Sequence, residues 1–165
     1  MRTVRLLLLA ASLVACGGTD YGAARRATLR PLEAVRAQQI VDDALASRGL
    51  RAELHHHLRL AGRHDIDVDA MIAGTRHGID FVTGPDRTAF GAALPQRRNP
   101  DALVVAPGAE ADHGADVLVL DDQDYLYEPD PNRQGPGHPT LGEVEDRLRR
   151  AVIDYLTYLR DNHQL

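Results

Sequence analysis

The chain has one cysteine, no tryptophan and no lysine. With Cys16 alone, no disulfide forms within the chain, so the fold holds by packing. Every one of its 19 basic residues is arginine. The absence of lysine excludes Schiff-base chemistry and phosphate loops of the Walker type, both of which need a lysine amine. Beyond residue 15 the only serine is Ser47, inside a helical pattern and without a Gly-x-Ser-x-Gly turn around it, which argues against a serine hydrolase. The longest apolar run, Leu6 to Val14, is too short to span a bilayer. A formal net charge of −5 repels polyanions, so nucleic acid is not an expected partner.

What is present begins at the N-terminus. Arg2 and Arg5 precede the apolar run, which ends in Leu13-Val14-Ala15-Cys16. The order of a positive region, a short apolar stretch and a small-residue cleavage site is that of a signal peptide. Its end resembles the lipobox of bacterial lipoproteins. That resemblance implies removal of residues 1–15, acylation of Cys16 with fatty chains such as palmitate, and attachment to a membrane of the cell envelope. Each buried methylene contributes about 0.8 kcal/mol, so two or more chains anchor stably where one does not. Gly17, rather than Asp, follows the cysteine; in enterobacterial lipoproteins this implies passage to the outer membrane. Residues 16–27 are small, polar and basic, the composition of a flexible tether. Residues 28–165 then have the length of a single globular domain.

Hydrophobic spacing divides that domain. Thr28–Arg48 reads as a helix with its stripe on Ala34, Ala37, Val41, Ala44 and Leu45, stopped at Gly49. Three strand-like runs follow, Arg51–Leu60, His64–Ala70 and Arg76–Thr83, with turns at Gly62 and Gly74. Asp86–Leu94 reads as a short helix, Ala102–Ala106 as a brief strand and Ala115–Leu120 as a buried strand that Tyr125–Tyr127 extends. Pro129–Pro139 reads as an open loop. Thr140 and Glu143 match a capping box that starts a helix running to Asp161, with Val144, Leu148, Val152, Tyr155 and Leu159 on one face. The fold class is α+β, an α/β sandwich. One mixed sheet is expected in the order helix, three antiparallel strands, short helix, strand, C-terminal helix. The last helix is expected to cover the face carrying Ile66, Val68, Ile79 and Phe81.

Register in the first hairpin follows from face consistency. A two-residue turn sets Leu58 against Asp65, mixing apolar with charged. A three-residue turn, Ala61-Gly62-Arg63, pairs Leu58 with Ile66, Arg59 with Asp65, His57 with Asp67 and His55 with Asp69. This polar face has two readings. One is a solvated surface stitched by cross-strand pairs, each giving a few tenths to about 1 kcal/mol. The other is a divalent-metal site built from His55, His57, Asp67 and Asp69, with Asp80 from the third strand beside Asp67. Imidazole with carboxylate suits zinc or a similar ion, and neighbouring carboxylates raise one another's pKa unless a cation separates them.

Across Leu32–Leu120 the element order resembles the core of the PD-(D/E)xK nucleases, where a helix precedes three strands that carry two acids. Asp67 and Asp80 stand at the acidic positions. Val82 occupies the lysine position and the proline of the motif is absent, which separates the chain from nuclease activity. Asp121, Asp122, Asp124, Glu128 and Asp130 crowd one region, but their spacing lacks the glycine and terminal Glu of a calcium loop and reads as charged turns. His77 reads as a strand-edge residue, Tyr155 as core and Tyr158 as boundary, while His113 and His138 have no partner assigned. No set of residues combines nucleophile, base and orienter. The expected function is therefore non-catalytic, structural or interacting with another envelope protein, and a metal-dependent binding protein or hydrolase on the His/Asp face is the alternative.

Overall fold

The computed structural model describes residues 29–53, 56–60, 64–91, 94–95, 99, 102–109 and 115–165. Leu29 to Leu32 is extended rather than helical. Pro31 fixes its own φ and pushes Arg30 into the β region. Strand β1 (Arg30–Pro31) accordingly pairs antiparallel with β9 (Leu126–Tyr127). Helix α1 spans Ala34–Ser47 and buries Ala37, Ile40, Val41, Ala44 and Leu45. It begins later than expected because the chain first serves that short ribbon.

The expected second strand is divided. β2 (Ala52–Glu53) and β3 (His56–Leu60) form one arm; β4 (His64–Val68) and β5 (Ala70–Ile72) form the other, broken at Asp69. β6 (His77–Val82), helix α2 (Gly84–Phe90), β7 (Val105–Pro107) and β8 (Asp116–Asp121) follow. A five-stranded sheet has the order β2-β5-β6-β8-β7. β2, β5 and β6 are successively antiparallel, β6 and β8 run parallel, and β7 is antiparallel to β8. Helix α3 (Leu141–Asp161) opens on the capping box, with the Glu143 N–H donating to Thr140 Oγ1 at 3.2 Å and the Thr140 N–H donating to Glu143 Oε2 at 2.7 Å. The fold is α+β with one mixed sheet.

The sheet has a core on each face. Helices α1 and α3 pack on one, where Ile72, Ile79, Phe81, Leu118 and Leu120 meet Leu45, Leu148, Val152 and Tyr155. The other face gathers Met71, Val82, Val117 and Val119 under Leu60, Ile66 and Val68 of the β3–β4 hairpin. In a regular strand Val68 and Ala70 would share a face. The break at Asp69 parts them, so Ile79 and Phe81 lie under the helices while Ile66 and Val68 lie on the opposite side, against expectation. β3 also meets the end of β7, through a Leu60–Gly108 bridge and an Ala109 N–H donated to the Arg59 carbonyl at 2.6 Å. The hairpin thus folds over the second core and shields an otherwise open sheet edge.

Candidate functional site

β3 and β4 pair His57 with Asp67, Leu58 with Ile66 and Arg59 with Asp65, the register that a three-residue turn requires. His57 Nδ1 contacts Asp67 Oδ1, and Arg59 Nε donates to Asp65 Oδ1 at 2.8 Å. All four side chains are largely exposed. His56 points to the other side, 3.4 Å from Glu53. His55 lies outside the described residues, and with it the expected His55–Asp69 pair.

Asp69 and Asp80 come together at the root of the hairpin. Asp69 Oδ2 accepts the Phe81 N–H at 2.9 Å, and the Asp69 backbone N–H donates to the Asp80 carboxyl. Asp80 is 5% exposed. Burial foremost, and then the charges of Asp69, Asp86 and Asp67, push its pKa up to about 7. Of the five proposed ligands, His57 and Asp67 pair on the hairpin, Asp69 and Asp80 meet at its base where the charge of Asp67 also acts on Asp80, and His55 lies outside the described residues. Among the described residues no three His, Cys, Asp or Glu side chains converge as metal ligands. A groove of about 440 Å³ opens beside this acid pair, lined by Val35 and Gln38 of α1 and by Asp69, Phe81 and Asp86. Val35 stands 73% exposed at its rim.

The acidic run after β8 splits into two hydrogen-bonded groups. Arg87 of α2 bridges Asp121 and Asp122, with Nε donating to Asp121 Oδ2 at 3.2 Å. These carboxylates hold the guanidinium firmly in its charged form. Glu128, 1% exposed, receives the Asp130 N–H at 3.1 Å and lies 3.1 Å from His138 Nδ1. Burial works against its charge, but the Asp130 amide, His138 and Arg133 outweigh it and hold the carboxyl below its ordinary range. Pro129–Pro139 is consequently no open loop: it carries a 3-10 turn at Pro131–Arg133 and a Gly135–His138 bridge around that anion. His113 lies outside the described residues.

His77 is buried, 4% exposed, rather than placed at a strand edge. The sequence offered no period by which to see this, because its burial comes from neighbours distant in the chain: Asp116 on β8 and the turn after α3. The Glu128–His138 and Arg87–Asp121 pairs leave no local signal for the same reason. No described helix is long and apolar enough to cross a membrane. Compared with protein-family models, curated proteins and solved structures, the chain matches none.

Proposed function

We propose that this chain is a lipid-anchored protein of the bacterial cell envelope, held at the outer membrane, whose α+β domain binds another envelope component without transforming it. The observation that carries the proposal is the placement of the sole cysteine at the end of Leu13-Val14-Ala15-Cys16, behind a charged and apolar leader. Support for a binding role comes from how the charged groups are used: His57, Arg59, Arg87 and His138 each engage a carboxylate within the fold. The groove between α1 and the hairpin root, with exposed Val35 beside Asp69 and Asp86, is the concave surface best suited to a protein partner. Replacing Cys16 with Ser should abolish palmitate incorporation and release the protein from membranes. Continued membrane attachment of the unacylated variant would sink the proposal.

A second reading keeps a divalent metal at the hairpin, on Asp69 and Asp80 with His55, His57 and Asp67. It is favoured by the juxtaposition of Asp80 with Asp69 in a sheet whose three antiparallel strands and fourth parallel strand follow the nuclease-like element order. Such an ion would act by polarising a bound oxygen or activating water. Elemental analysis of the purified protein decides it. Stoichiometric metal that disappears in Asp80→Asn supports this reading, and a folded metal-free protein removes it.

A further inference from the structure

We propose that the cavity between the β5–β6 turn and the end of α3 binds a small oxyanion of the carboxylate or phosphate class, held by Arg76, His77 and His163. The cavity, about 590 Å³, is lined by Gly74, Thr75, Arg76, His77, His163 and Gln164. Among the described residues its lining holds one guanidinium and two imidazoles, with the Asp116 carboxylate 4.0 Å from the His77 ring. That is unusual on an acidic chain. The groove beside α1 carries Asp69 and Asp86, the cavity beside Arg87 carries Asp121 and Asp124, and the one at Arg51 carries Asp42.

The independent sign of a ligand is His77 itself. Its Nδ1 is buried with no hydrogen-bond partner among the described residues, and Asp116 Oδ2 stands 4.0 Å away, beyond hydrogen-bond reach. A buried polar atom left without a partner is costly in proteins generally, so it calls for an explanation. The residue is held in place: its N–H donates to Thr75 Oγ1 at 3.1 Å, and that hydroxyl donates to the Ile72 carbonyl at 2.8 Å. Among the described residues, Asp116 from β8 and Arg76 from its own turn act on the imidazole, and His163 from the turn after α3 lines the same cavity. Burial chiefly, and Arg76, lower its pKa, while Asp116 acts the other way. An anion seated against Arg76 reverses that balance and favours a protonated His77.

The end of α3 is closed by its own turn. The carbonyls of Tyr158, Leu159 and Arg160 already accept the N–H groups of Asn162, Gln164 and His163, the bonds of a Schellman turn. His163 occupies the left-handed position at φ 57, where glycine is usual, so its side chain is kept there at a conformational cost. The cavity lies at the N-terminal ends of β6 and β8, where His77 pairs with Asp116. β1, the first described strand, joins β9 beyond the other end of β8, at Asp121. A six-residue strand separates those ends by roughly 17–20 Å. The cavity therefore lies at the end of the sheet opposite the β1–β9 ribbon.

Inorganic phosphate, titrated into the full-length protein at constant ionic strength, is the test, read by calorimetry and by the NMR signals of the His77 ring. Saturable binding should come with proton uptake at His77, seen as a shift of its ring signals. Arg76→Gln and His77→Gln should each weaken binding about tenfold or more. His163→Gly should weaken binding while raising the melting temperature, because it relieves the backbone and removes the ring. Arg76 is exposed, so its variant carries the test even if His77→Gln fails to fold. No His77 response to millimolar phosphate, or unchanged affinity in Arg76→Gln, overturns the site. Binding of the Cys16→Ser protein to phosphatidylglycerol vesicles but not to free phosphate would overturn the soluble ligand in favour of a head group.

Discussion

The Asp69 backbone N–H donates to the Asp80 carboxyl while the Asp69 side chain accepts the N–H of Phe81, the residue after Asp80. These two bonds fasten the break between β4 and β5 to β6, where the hairpin leaves the sheet. Asp80 is held near pKa 7 in the fold and titrates close to 4 in an unfolded chain. Between those values the native state keeps a proton that the unfolded state has lost. Stability must therefore fall as pH rises from about 4 to about 7 and stay reduced above that. A shift of this size corresponds to at most about 4 kcal/mol. Asp80→Asn, which can still accept the Asp69 N–H, should melt higher than the parent at pH 8 and gain nothing at pH 4. An unchanged pH profile in Asp80→Asn would show that the burial and charges placed around it do not govern stability.

Gly78 lies in β6 under the same hairpin. A Cβ there would sit 2.7 Å from Met71 Sδ and 2.8 Å from Val68 Cγ1. Met71 can swing its flexible side chain aside, but Val68 is β-branched and stiff. Gly78→Ala should cost about 1–3 kcal/mol through overpacking, seen as a lower urea midpoint. Val68→Ala in the same chain should recover part of that loss. Failure of the second change to compensate would mean that the contact with Val68 is not the seat of the strain.

Face consistency was enough to give the hairpin register, because apolar Leu58 had to oppose apolar Ile66. The α3 face was equally legible, since a 3.6-residue period marks Val144, Leu148, Val152, Tyr155 and Leu159, all of them buried. The break at Asp69 was not legible. It is stabilised by the Phe81 amide twelve residues away, and nothing local in His64–Ala70 distinguishes a broken strand from a straight one. That single break moved Val68 from the expected core to the opposite one. Likewise Pro31 signalled extended backbone, yet the partner that makes Arg30–Pro31 a strand is Leu126–Tyr127, far along the chain. Local pattern showed the elements; contacts distant in sequence decided how Asp80, His77 and Glu128 became buried.

Glu128 organises the proline-rich loop through the Asp130 amide and His138. Its carboxyl is held below the ordinary range in the fold. The stabilisation is therefore present above the unfolded carboxylate pKa and is lost as pH falls through the lower folded value. Glu128→Gln should speed amide exchange of Asp130, Asn132 and His138 at pH 7 while leaving α3 protected. At pH 3 the variant and the parent should approach each other. Equal exchange at both pH values would show that the loop is held by something other than this anion.

Arg87 ties α2 to the end of β8 by engaging Asp121 and Asp122 together. Two adjacent carboxylates share one guanidinium, and Asp122 is the more buried of the two. Arg87→Gln removes the cation and leaves like charges beside each other, the situation in which breaking a pair costs more than never having made it. Because Arg87 remains partly exposed, the loss is discounted for solvent to about 1–2 kcal/mol. The remaining repulsion is Coulombic, so molar salt should narrow the gap between variant and parent. Adding Asp121→Asn to Arg87→Gln should restore part of the stability at pH 7, since the leftover charge then has no neighbour to repel. A variant whose deficit is indifferent to salt and to that second substitution would locate the contribution of Arg87 in packing rather than in charge.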